Sequence, residues 1–183
     1  MVDAPVADAM RRRHSQPSVD DRAPTTRELL RLIDAAGSVA DHSSLRPWRI
    51  IAIRGSARQR VGAALAEAAG LDGAPGEKLA AKPLRAPLLL AIVASPKPSL
   101  KVPAWEQEAV AAGVAHALSL VLTEAGWGVM WRTGLHTRSE PVARAHELGS
   151  DERLLGWLYV GGVTRRKTGR RKPIRARELL TAL

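Results

Sequence analysis

Few stretches of this 183-residue chain carry side chains able to do chemistry, and the first lies near its start. Arg13, His14 and Ser15 directly follow a run that can form a helix. An arginine and a hydroxyl placed there can hold a phosphate through charge-assisted hydrogen bonds, although many surface segments share the pattern. His42 follows Asp41 in a polar loop between two structured runs. Polar loop residues held by a rigid frame are common in binding sites, and a loop-stabilising donor is the plainer alternative. The remaining histidines are His14, His116, His136 and His146, and no two of the set stand at metal-ligand spacing, so no metal site is expected. His116 is expected as a neutral core or interface residue and His146 on a surface helix. Glu106 and Glu108 suit the positive start of a helix. No residue is marked as a nucleophile, so no catalytic side chain is assigned.

Placing these groups requires helices and strands in alternation. A first helix is expected over 6–13, its arginines at the negative end of the helix dipole. A second opens at Thr25 or Thr26, with Glu28 set for a capping box, and stops near Gly37. Residues 48–53 (WRIIAI) read as a strand. Ser56 is expected to cap a helix to residue 69, and the glycine-rich stretch 70–76 to break it. A short helix over 77–85 leads into LLLAIVA, a continuous apolar run that reads as a buried strand. A long helix over 103–125 ends at Gly126 and Gly128. Strands at VMWRT and LLGWLYVGG flank a helix that Ser139 is expected to cap. The order indicates α+β or α/β with a central sheet.

The long helix is the most informative element. From Ala109 to Leu122 it has no Asp, Glu, Lys or Arg. A helix apolar on every side must be buried in a core or between subunits, and this one is shorter than the ~20 apolar residues a bilayer needs. Gly113, Ala115, Ala117 and Ser119 permit close helix approach. An obligate dimer with a ligand cleft at its seam is expected.

Composition narrows the class further. The chain has no cysteine, which excludes disulfides and thiolate chemistry and fits a reducing cytoplasm. No secretory signal or transmembrane run is read. One domain is expected over 1–164, with a basic tail over 165–183. The net charge is +10. Arg165, Arg166, Lys167, Arg170, Arg171, Lys172, Arg175 and Arg177 crowd into that tail. A solvated extension is the plain reading, and an anion or nucleic-acid site the sharper one. There is no GxGxxG, Walker A or HExxH motif.

Taken in order, these segments resemble the FMN-dependent nitroreductase family, in its compact YdjA-type branch. RHS at 13–15 resembles the family's N-terminal motif for the FMN phosphate and ribityl chain. APTTRELLRLIDAAGSVADHSSLRPW resembles the helix–loop–PW segment, and KVPAWEQE the opening of the central dimer helix. GWGVMWRTG resembles the G-x-G-x-x-W-R-[ST]-G element, and LLGWLYVGG the closing strand. Three departures stand out. His14 replaces the compact branch's second arginine, Pro17 sits where some members carry lysine, and Ser38 stands where compact members often carry arginine.

The resemblance implies a central mixed sheet flanked by helices in an intertwined homodimer, with FMN at the subunit interface. It implies that Arg13, His14 and Ser15 hold the phosphate end of FMN, and that Ser38 and His42 approach from the partner subunit. Trp131, Arg132 and Thr133 would lie along the flavin, with Arg132 a candidate for balancing charge near N1. NAD(P)H would be the co-substrate, passing hydride to FMN in ping-pong fashion. A nitroaromatic, quinone or related small molecule would be the acceptor. Relatives with other flavin reactions, and a flavin-free basic dimer that binds nucleic acid, are the competing readings.

Overall fold

The LLLAIVA run becomes the centre of the sheet. In the computed structural model, which describes residues 4–164 and 174–182, strand β2 (Leu88–Ala94) is buried along its whole length. It pairs antiparallel with β1 (Trp48–Ile53) on one side and β4 (Arg153–Gly161) on the other. Strand β3 (Gly128–Arg132) closes the order β1-β2-β4-β3. The fold is α+β, as expected. The sheet differs in one respect. Among the described residues every ladder is antiparallel, where a mixed sheet was expected. Helix α5 (Ala104–Glu124) carries the chain from β2 to the far edge, and β4 then inserts antiparallel to both neighbours.

Alternation along β2 divides the core into two layers. Leu88, Leu90 and Ile92 pack with Ala115, Leu118 and Leu122 of α5 and with Leu29 of α2 (Thr26–Ala36). Leu89, Ala91 and Val93 pack with Val61 and Leu65 of α3 (Ala57–Ala69) and with Val142 of α6 (Glu140–Ala145). A bulge interrupts β4: Ile92 faces Gly156 while Val93 faces Leu154, leaving Leu155 as the extra residue. Parity therefore flips, and Leu154 shares a face with Trp157 and Tyr159.

Several local expectations hold in detail. Thr25 accepts from the Glu28 N–H while the Glu28 carboxylate accepts from the Thr25 N–H, which completes the capping box. Gly70 ends α3 in the left-handed region, where its missing Cβ removes the steric cost. Other expectations need correction. Ser56 and Ser139 precede their helices but make no side-chain cap. The break after α3 is shorter than expected, and the helix placed over 77–85 is instead α4 (Gly73–Ala80) followed by a single helical turn at Lys82–Arg85. Within one chain α5 is buried on only one side: Ala109 and His116 are exposed, and Trp105 is 70% exposed. Short helices α1 (Pro5–Arg12) and α7 (Ala176–Leu179) complete the described α-helices. Of the basic tail, Arg165, Arg166, Lys167, Arg170, Arg171 and Lys172 lie outside the described residues, and Arg175 pairs with Glu178 at 3.1 Å. No described helix is long and apolar enough to cross a membrane.

Candidate functional site

The end of β3 opens into a cleft of about 480 Å³. One wall is the segment that runs from Met130 to Thr137, and the others come from Leu65 of α3, Leu79 of α4, Lys82, and Trp157 and Tyr159 of β4. Trp131, Arg132 and Thr133 thus gather here as one group. A second hollow of about 620 Å³ lies against the same segment and is completed by Glu108 and Ala112 of α5 and by Leu154 and Leu155. An Arg138–Glu108 ion pair ties the segment to α5.

Strand geometry sends adjacent side chains to opposite faces. Trp131 turns toward α5 and meets His116 edge-on, with ring centroids 4.9 Å apart. Its indole Nε1 is buried without a hydrogen-bond partner. Arg132 turns the other way, with its guanidinium carbon 5.1 Å from the Tyr159 ring centroid. That is cation–π range. The Arg132 Nε is also buried and unpartnered. Buried donors left unmade cost about 1–3 kcal/mol each, so their persistence points to a ligand or solvent partner. Burial holds the Tyr159 phenol above its ordinary range, against the pull of Arg132 and Arg85, so it stays a neutral donor.

Gly156 makes the arrangement possible. Its φ is +125°, and a Cβ there would stand 2.5 Å from the Arg132 carbonyl oxygen and 2.8 Å from Trp131 Nε1. The β4 bulge therefore leaves room for the backbone and indole of β3.

The other expected residues are placed elsewhere. Arg13 follows α1 directly, half-buried, and the His14 Nδ1 lies 2.8 Å from the Arg12 carbonyl. Ser15 is exposed. This segment is tied to β3 where Gln16 N–H donates to the Val129 carbonyl at 2.9 Å. Ser38 is exposed just past Gly37, the C-cap of α2. His42 is exposed and pairs with Glu106 at 3.0 Å, which ties its loop to the start of α5. In that loop Ser43, Ser44 and Arg46 all take positive φ. Three non-glycine residues in this region are a concentration of strain of the kind found at functional sites. The Asp41 carboxylate, accepting from the Arg46 N–H at 2.7 Å, helps to hold the turn. Arg13, His14, Ser15, Ser38 and His42 do not line the cleft within one chain.

Lys82, Trp157 and Tyr159 line the cleft but escaped the sequence reading. Lys82 lies in a stretch with no motif, and both aromatics lie in what read only as the closing strand. The histidine expectations also need correction. His146, expected on a surface helix, is 4% exposed, while His116 is exposed in the single chain, which excludes the core alternative for it and leaves the interface one. No cluster of three or more metal-ligating side chains occurs among the described residues.

A model of the "Nitroreductase family" matches residues 10–162. The chain is 34% identical over 152 residues to the "Putative NAD(P)H nitroreductase YdjA" of Escherichia coli K12, covering 81% of this chain and 83% of that protein. A nitroreductase-like family protein from Bacillus cereus shares the fold, with a TM-score of 0.83 at 18% identity, over 100% of this chain and 98% of the other. The FMN and NADPH-dependent nitroreductase NfnB from Sphigopyxis sp. strain HMH gives a TM-score of 0.71 at 19% identity, over 98% and 99% of the two chains.

Proposed function

The chain belongs to the nitroreductase family, and on that footing we propose that it is an FMN-dependent NAD(P)H oxidoreductase working as a homodimer. The carrying observation is the cleft at the end of β3. It presents Lys82 and Arg132, no carboxylate among its described lining residues, and three orphaned donors, Trp131 Nε1, Arg132 Nε and the Thr137 hydroxyl, at its wall. Such a site suits a flat, electron-poor, anionic group such as FMN. When bound, FMN supplies two-electron hydride exchange between NAD(P)H and a nitroaromatic, quinone or related acceptor, the two sharing one pocket in turn.

The protein's own work is to bind and to place charge. In this reading Arg13 and Ser15, with His14 beside them, hold the phosphate end. Arg132 and Lys82 offset negative charge where it builds on the reduced ring, because fixed cations in a partly dry site act strongly. Trp131 and Thr133 line the ring's flank. Ser38 and His42 reach across from the other subunit, with Glu106 orienting the imidazole. No side chain is needed as a nucleophile.

Two features support the dimer. A strip of α5 through Trp105, Ala109 and His116 stays exposed, although no charge from Asp, Glu, Lys or Arg occurs between residues 109 and 122. The residues assigned to FMN also fall on separated parts of a single chain. The catalytic unit is taken as residues 1–164, and the lack of cysteine supports a cytoplasmic setting.

The deciding experiment is to purify the chain, record its visible spectrum, and identify any chromophore released on denaturation. One FMN per subunit is the expected result. Colourless protein that also fails to take up added FMN overturns the reading. Arg13→Ala should then weaken FMN binding by about 1.5–3 kcal/mol per charge-assisted bond lost, read by titration of apoprotein. An unchanged affinity removes Arg13 from the site.

A further inference from the structure

We propose that His146 is a positioning residue that fixes Trp157 as a wall of the cleft, through a hydrogen bond that only the neutral imidazole can accept. The inference rests on the flavin reading for its consequence, and on geometry for the pair itself.

Trp157 and His146 are each 4% exposed. The indole Nε1–H donates to His146 Nε2 at 2.9 Å. On the other side of the ring, Nδ1 stands 2.7 Å from the Val142 carbonyl. A carbonyl only accepts, so Nδ1 carries the proton and Nε2 offers its lone pair. Both ring nitrogens are therefore used, and the tautomer is determined. The rings lie 5.6 Å apart at 47°. This pair joins α6 to β4 and places Trp157 in the lining of the cleft, beside Tyr159 and Arg132.

Protonation would put an N–H on Nε2, facing the indole N–H. Two donors would then meet in a buried site, and the indole must move or lose its partner. The surroundings resist that state. Burial is the main cause holding His146 below the usual histidine range, and the charge of Arg49 on β1 adds to it. Arg60 of α3 and Glu147 line the small cavity that His146 also lines. Arg49 is itself paired with Glu152. A group whose folded pKa is depressed in this way is neutral above about pH 6.5, and its contribution fades as pH falls through the folded value. The wall of the cleft is thereby made sensitive to acid.

The test uses the full chain, with tryptophan emission followed from about pH 8 to about pH 5 in apoprotein and in FMN-loaded protein. A transition in the native chain that Trp157→Phe lacks is expected. In loaded enzyme, His146→Leu should raise the acceptor KM about fivefold, the size of one lost hydrogen bond, with kcat changed less. His146→Gln offers a carbonyl to the indole and does not titrate. It should restore the neutral-pH KM without the rise in KM toward acid pH expected of the native enzyme, and with Trp157→Phe it carries the test if the leucine variant does not fold. The same emission titration in native chain and Trp157→Phe, or an unchanged KM in folded variants that lack the bond, overturns the proposal. Failure to take up FMN at any pH overturns the flavin reading separately, and the apoprotein titration then decides the pair alone.

Discussion

The two faces of the sheet are finished in different ways. On the α3 and α6 face the chain satisfies itself. His146 and Trp157 pair inside it, and Arg49 reaches from β1 to grip both Glu152 oxygens at 2.6 Å. On the α5 face the inner side of the helix is packed, but an outer strip with Trp105, Ala109 and His116 is left uncovered. One face spends polar groups on internal bonds, and the other offers apolar surface with few of them. The difference teaches where the chain ends its own work and where a second copy is needed.

Breaking the open face should have the largest effect. Ala109→Asp adds a charge that a single chain can leave in water. If a second copy covers α5, each subunit would bury an unpaired carboxylate at about 3–5 kcal/mol. Sedimentation should then show monomer for the variant and dimer for the native chain. Equal sedimentation of both would remove α5 as the seam.

Gly156 joins the two faces, since Trp131 and Arg132 leave β3 beside it in opposite directions. Gly156→Ala must accept a φ of +125° and a Cβ 2.5 Å from the Arg132 carbonyl. Strain and overpacking together should cost about 3 kcal/mol, read from urea unfolding. The effect should extend to FMN affinity, because the bulge shapes the cleft. A variant as stable as the native chain would mean that the bulge relaxes freely.

The closed face can be probed by acid. The side-chain bond from Arg49 is the main cause that brings Glu152 down to about 2. Its folded value lies below its unfolded one, so the stabilisation is present above about pH 4.5 and is lost as pH falls toward 2. The Arg49 side chain is 41% exposed, so screening reduces the worth of the pair, and Glu152→Gln should cost about 2 kcal/mol at neutral pH. The variant's stability should also fall less between neutral and acid pH than the native chain's. Parallel stability curves for the two proteins would dismiss the clamp.

What could be read from the sequence follows the range of each interaction. Strand β1 and the buried strand β2 came from short apolar runs, and the Thr25–Glu28 box from a spacing of three residues. The absence of charge in α5 was visible, but not which of its sides the chain itself would cover. Lys82 and His146 remained hidden because their meaning depends on partners distant in sequence. His146 reads as a surface group until Trp157 is brought to its Nε2, and Lys82 as an ordinary cation until β3 arrives beside it. The β4 bulge was invisible too, since one extra residue changes the parity of LLGWLYVGG without changing its composition.

The smallest effect tests whether α2 belongs to the closed or the open economy of the molecule. Its start is fixed locally: Thr25 and Glu28 satisfy each other's backbone donors without help from any other element. Thr25→Ala should therefore cost about 1 kcal/mol, the usual worth of a cap. The loss should appear in thermal unfolding while FMN affinity stays at the native value. The far end of α2 leads to Ser38 and to the strained loop of His42, which is assigned to the partner's site. If the cap variant also loosens FMN, the helix transmits its start to that loop as a rigid rod. If affinity holds, the His42–Glu106 pair is sufficient to keep the loop in place, and α2 serves packing alone.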